Sequence, residues 1–202
     1  MRTLVFTTAV AVDTKQTKSI GEHYVASMLA RNGWAPALTR DGLARTDILA
    51  VHTADERRMI EVQVKSIRGV RRTDSWPLGL KEQAPARSDH EWFVLVAIDP
   101  DPAGPMRCFV VPRNHVAAAT WIEHMHWLTE PGVEPGRRNV GPDRARASMA
   151  VFARYENRWD LLLGSADQAP ILLPPEYRDY ALDVDRVGLP PEHPWRIALP
   201  VW

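Results

Sequence analysis

Two neighbouring segments hold residues able to do chemistry together. Asp47 heads the apolar run Ile48-Leu49-Ala50-Val51, and Glu61-Val62-Gln63-Val64-Lys65 follows a short polar turn later. Residues 59–65 alternate, with Ile60, Val62 and Val64 toward one side and Glu61, Gln63 and Lys65 toward the other, the pattern of a β-strand. Adjacent strands lie ~4.8 Å apart and same-face residues ~6.7 Å apart along a strand. A carboxylate at the head of one strand can therefore stand beside an amide oxygen and an ammonium on the next. A hard cation such as Mg²⁺ or Mn²⁺ takes oxygen ligands. Asp47 offers a carboxylate, Gln63 a side-chain carbonyl, and Glu61 a further acid on the same face. A bound ion would orient and acidify a water, and Lys65 would act as a point charge on that water or on a phosphate. The chemistry this predicts is phosphodiester hydrolysis. Read singly, each residue has an ordinary role: Asp47 caps a strand, Lys65 is a solvated strand-end lysine, and Glu61 is a surface acid.

The elements that must position these groups are legible from periodicity. Ile20, Tyr24, Val25, Met28 and Leu29 recur at helical spacing, predicting a helix over Ile20–Asn32 that stops at Asn32-Gly33. Ser19 and Glu22 have the spacing of a capping box. Trp34–Thr39 leads to a turn around Asp41-Gly42. Residues 66–91 form a long basic loop; Arg68, Arg71, Arg72 and Lys81 in it either grip phosphates or line a solvated turn. Trp76 either stacks on a base or pins the loop to the core. Trp92–Ile98 reads as a buried central strand, Arg107–Val111 as another, and Asn114–Leu128 as a helix. His124 and His126 stand two apart and do not share a helix face, so no metal is read there. A further helix is expected over Asp143–Glu156, with Asp143 as N-cap. The fold class that results is α/β: a central mixed sheet of four to six strands flanked by helices.

The 202 residues divide into a leader over 1–17 with a short strand at Leu4–Phe6, a domain over 18–164, and a proline-rich C-terminal arm over 165–202. Tyr177, Tyr180, Trp195 and Trp202 in the arm argue against a free tail, so it is expected to lie on its own domain or on a partner, such as a second copy in a homodimer. Equal numbers of basic and acidic residues, 25 each, count against coating nucleic acid through bulk charge but leave room for a local basic face. No apolar run approaches a membrane span, the start does not read as a signal peptide, and the single Cys108 excludes an internal disulfide framework. The expected location is cytoplasmic. No P-loop, nucleophile elbow or dinucleotide fingerprint is present.

Asp47 followed by Gln63-x-Lys65 resembles the PD-(D/E)XK nuclease signature in its glutamine variant, with Thr46 where that superfamily often has proline. Gly21-Glu22, Thr46-Asp47-Ile48-Leu49-Ala50-Val51 and Val62-Gln63-Val64-Lys65-Ser66 are similar to Mrr-type restriction enzymes and Holliday-junction resolvases. Residues 92–98 and Phe109-Val110-Val111-Pro112-Arg113 resemble an uncharacterised bacterial branch of the same group. The resemblance spans about residues 18–165, most closely 18–66. It implies a restriction-endonuclease-like core, a DNA substrate, a Mg²⁺ or Mn²⁺ cofactor, and Glu22 as a further member of the site. The rival expectation is an inactive protein of the same fold that binds nucleic acid or a protein partner, since Gln63 carries no charge.

Overall fold

The computed structural model describes residues 13–39, 43–134 and 136–202. The strand expected over Leu4–Phe6 and the turn around Asp41-Gly42 lie outside them. The first helix, α1, spans Thr14–Arg31, six residues more at its start than periodicity predicts. Its N-cap is Asp13, whose carboxylate accepts from the Lys15 N–H at 2.8 Å. Ser19 and Glu22 therefore lie inside the helix, and the capping-box expectation is corrected. The stop is as expected: Asn32 is the C-cap, and Gly33 takes a φ of +83°, which suits a residue without Cβ.

Five strands make one mixed sheet in the order β1-β2-β3-β5-β6. They are β1 (Trp34–Leu38), β2 (Ile48–His52), β3 (Asp55–Arg68), β5 (Glu91–Ile98) and β6 (Met106–Pro112). All pairings are antiparallel except β3 with β5. The connection between those two carries β4 (Ser75–Pro77) and the short helix α2 (Leu80–Gln83), so the long basic segment is partly regular. Every residue of β5 is buried, as its unbroken apolar run predicts, although β3 occupies the centre of the sheet. Each such fully buried Val, Leu or Phe contributes about 1.5–3 kcal/mol.

The alternation of β3 decides what each face meets. Val64 and Ser66 face α1: a Cβ on Gly21 would come within 1.8 Å of Ser66 Oγ and 3.5 Å of Val64 Cγ1. Gln63 and Lys65 face the other way, toward α2 and α3 (Arg113–Leu128). Trp76 is fully buried and donates its indole N–H to Val96 O at 3.1 Å, so it anchors the loop and is not offered to a base.

The helix expected over Asp143–Glu156 does not form. Residues 142–144 make a 3₁₀ turn, Arg146–Ser148 is a strand (β7) paired with β4, and Ala153–Tyr155 is another 3₁₀ turn. Asp143 accordingly caps no α-helix. Phe152 and Tyr155, at helical spacing in the sequence, are instead buried against Trp76 and each other from this irregular chain. In residues 165–202, Leu172, Leu173, Tyr177 and Leu189 join the same core, and a short helix α4 spans Glu176–Leu182. Trp121 Nε1 donates to Val187 O, and His193 Nε2 bonds Asn114 O, both at 2.9 Å. Cys108 is a buried thiol, pushed up to about 12 by desolvation first and then by the charge of Glu156. Among the described residues, no helix is long and apolar enough to cross a membrane.

Candidate active site

The site forms where β2 stops and β3 continues. The ladder between them runs to Ile48 opposite Val62, and β3 then extends to Arg68 with only β5 beside it. Asp47 ends the ladder. Its N–H donates to Val62 O at 2.9 Å, and its Oδ2 accepts from the Val64 N–H at 2.8 Å. The carboxylate thus fills the place that the next backbone carbonyl would have taken, and Thr46 O is used instead by Thr39 Oγ1. The strand-cap role of Asp47 is real, and it fixes one carboxylate oxygen while Oδ1 turns away.

Toward Oδ1 comes the second turn of α1. Lys18 Nζ lies 3.6 Å from Asp47 Oδ1 and 3.3 Å from Glu22 Oε1. The Glu22 carboxyl is held above its usual range, first by burial and then by the neighbouring charge of Asp47, against the pull of Lys18. Two carboxylates and one ammonium therefore stand together between α1 and the head of β2, Glu22 among them. Lys18, one turn before Glu22, went unremarked in the sequence although the i, i+4 spacing marks a pair.

Gln63 and Lys65 have partners of their own on the opposite face. Gln63 Oε1 accepts from Arg113 Nη2 at 2.6 Å in a buried hydrogen bond. Arg113, almost wholly buried at the start of α3, also pairs through Nε with Glu91 Oε2 at 2.7 Å, and Arg45 Nη2 reaches the same oxygen at 2.8 Å. Burial, then Arg45, lowers the Arg113 guanidinium to about 10, partly offset by Glu91 and Glu82. Burial works to raise Glu91, but bonds from Arg45 and the Arg87 N–H, with the charges of Arg113 and Arg45, leave it net lowered. Lys65 Nζ is held by Glu82 Oε1 of α2 at 2.7 Å. Among the described residues no hydrogen bond joins Gln63 or Lys65 to Asp47 or Glu22.

The remaining expected residues are dispersed. Glu61 Oε2 accepts from Thr46 Oγ1 at 3.0 Å, one residue from Asp47. Arg68 Nε donates to Thr17 Oγ1 at 3.3 Å beside α1, whereas Arg71 is spent on Asp74 at 2.9 Å. Arg72 and Lys81 are exposed. Glu82, Glu91, Arg45 and Arg113 were not assigned roles from sequence. Of these, Arg113 follows Pro112 directly at the end of a strand.

Among the described residues, no group of three or more His, Cys, Asp or Glu side chains is placed to hold a metal ion. The oxygen donor set is the pair Glu22 and Asp47. That pair suits a small hard cation, since Mg²⁺ commonly keeps several waters and binds through one or two carboxylates plus substrate phosphate. No protein-family model matches the chain, and no curated protein is significantly similar to it.

Proposed function

We propose that this chain is a Mg²⁺- or Mn²⁺-dependent DNA endonuclease with a restriction-endonuclease-like core. The observation that carries the reading is the Glu22–Asp47 pair, set beside α1 where β2 stops and β3 continues. Glu22 and Asp47 would hold the ion. When bound, it supplies a Lewis acid that acidifies a coordinated water and draws charge from the phosphate. Asp47 keeps a fixed orientation because Val64 N–H holds Oδ2. Lys65, whose Nζ is paired with Glu82 on the other face of β3, would meet the phosphate as a point charge only on leaving that acid. Gln63 acts as a positioning residue, tying β3 to Arg113 and the start of α3. Water attacks phosphorus in line, and the ester P–O bond opposite it breaks.

A second reading is a non-catalytic member of the same fold that binds nucleic acid or a protein partner. It is favoured by the engagement of both Gln63 Oε1 and Lys65 Nζ with charged protein groups.

The test is cleavage of supercoiled, linear, single-stranded and branched DNA, with RNA alongside, in Mg²⁺ or Mn²⁺ and in EDTA. Metal-dependent cutting that is lost in Asp47→Asn and Lys65→Ala, with melts near wild type, supports the first reading. Cutting retained in both variants removes the mechanism, and binding without cutting in every metal favours the second.

A further inference from the structure

Two cavities share a wall. One, of about 470 Å³, is lined by Thr14, Thr17, Ser66, Arg68, Asp74 and Arg146 among others, and so begins one residue from Lys18. The other, of about 390 Å³, is lined by Glu123, His124, Trp127, Arg144, Arg146 and Ser148 among others. Thr73, Ser75 and Arg146 line both, making one groove from the first turn of α1 to the last turn of α3.

Three arginines, Arg68, Arg144 and Arg146, line the two cavities against two acids, Asp74 and Glu123. The Arg144 guanidinium has no hydrogen-bond or ion-pair partner among the described residues. Arg146 spends Nε and Nη2 on Ser75 and leaves Nη1 open. Both acids on the walls are engaged. Asp74 accepts from the Arg71 N–H and guanidinium at 2.9 Å, and Glu123 accepts from the Ser148 N–H at 3.0 Å. Trp127 is 41% exposed; Arg138, which pairs with Glu130, lies over its ring at 5.0 Å and the His124 ring is tilted against it at 5.8 Å, so a base that stacks there takes the place of Arg138. An aromatic face beside unpaired guanidinium groups is what single-stranded nucleic acid recognises: bases stack on the ring, and phosphates meet the arginines. The smaller cavity falls in the range of small-molecule sites, ~300–1,000 Å³, and Glu123, His124 and Ser148 give it polar groups to meet a base edge.

Resting on the nuclease reading for the identity of the strand, we propose that this groove leads the substrate strand away from Asp47. The far cavity receives one unstacked base against Trp127, with the flanking phosphates on Arg144 and Arg146.

The experiment is fluorescence anisotropy of a labelled single-stranded oligothymidylate and a duplex with the full chain in EDTA, where no cleavage can occur. Trp127→Ala should weaken single-strand binding about 10- to 100-fold, the size of one lost base stack. Trp127→Phe should largely restore it, and its retained fold separates lost stacking from lost structure. Arg144→Ala should reduce the slope of log K against log salt by about 0.7, one single-strand phosphate contact. Affinity and slope unchanged in both alanine variants would overturn the groove while leaving metal-dependent cleavage by the wild type intact. Wild-type protein that binds neither probe would overturn the groove, while the nuclease reading is decided separately by metal-dependent cleavage.

Discussion

Glu91→Gln is a test of the buried charge network that holds β3 against α3. It removes one charge and almost no volume. Glu91 Oε2 accepts from Arg113 Nε at 2.7 Å and from Arg45 Nη2 at 2.8 Å, and the Glu91 and Arg113 side chains are 6% and 1% exposed. Leaving a buried guanidinium without its counter-charge costs about 3–5 kcal/mol. The low end applies here. The amide oxygen can still accept from the Arg87 N–H, and Arg113 keeps Gln63 Oε1 at 2.6 Å and the Phe93 ring at 4.7 Å. A loss of about 3 kcal/mol lowers the melt of a chain this size by roughly 6–12 °C. Urea denaturation followed by tryptophan fluorescence should show the midpoint falling with an unchanged m-value. A loss below about 1 kcal/mol would refute the reasoning, since it would mean that water or another acid already serves Arg113.

Gly21→Ala should cost about 1–3 kcal/mol, because its Cβ would lie 1.8 Å from Ser66 Oγ, and Ser66→Ala should recover part of the loss in thermal melts of the pair. Glu22 gives a pH prediction with a definite sign. Its folded pKa is raised, first by burial and then by Asp47, so the folded state holds the proton more tightly than the unfolded one. Stability should therefore fall as pH rises through the folded pKa; Glu22→Gln should abolish that slope and be the more stable protein at about pH 8, read from melts across pH. Trp76→Phe should lose about 1–2 kcal/mol, since the buried bond to Val96 O goes and Val96 O is left without that donor, checked by the same denaturation.

How much was legible in the sequence follows from where each interaction lies along the chain. The alternation of residues 59–65 and the apolar run of 92–98 are local signals, and both became the strands they describe. The start of α1 was obscured because Ser19 and Glu22 imitate a cap while the true cap, Asp13, precedes a polar turn without apolar periodicity. Met149, Phe152 and Ala153 carry helical spacing, yet pairing of Arg146–Ser148 with Ser75–Pro77 and burial of Phe152 beside Trp76 prevail over it. Within the site, Asp47 at a strand head could be found from spacing, whereas Glu22 was expected there only through the resemblance, its spacing from Ser19 reading as a helix cap. The partners of Gln63 and Lys65 could not: Arg113 comes 50 residues after Gln63, and Glu82 sits on a four-residue helix with no sequence signature.

The claim on which the account turns is that Glu22 and Asp47 hold the divalent cation while the Gln63 oxygen stays with Arg113. Equilibrium titration of Mn²⁺, with free ion read by electron paramagnetic resonance, addresses it without any need for turnover. One ion per chain is the result predicted for wild type and for Gln63→Ala, with binding lost in Glu22→Gln and Asp47→Asn. Binding that survives both carboxylate substitutions, that disappears in Gln63→Ala, or that is absent from wild type would contradict it.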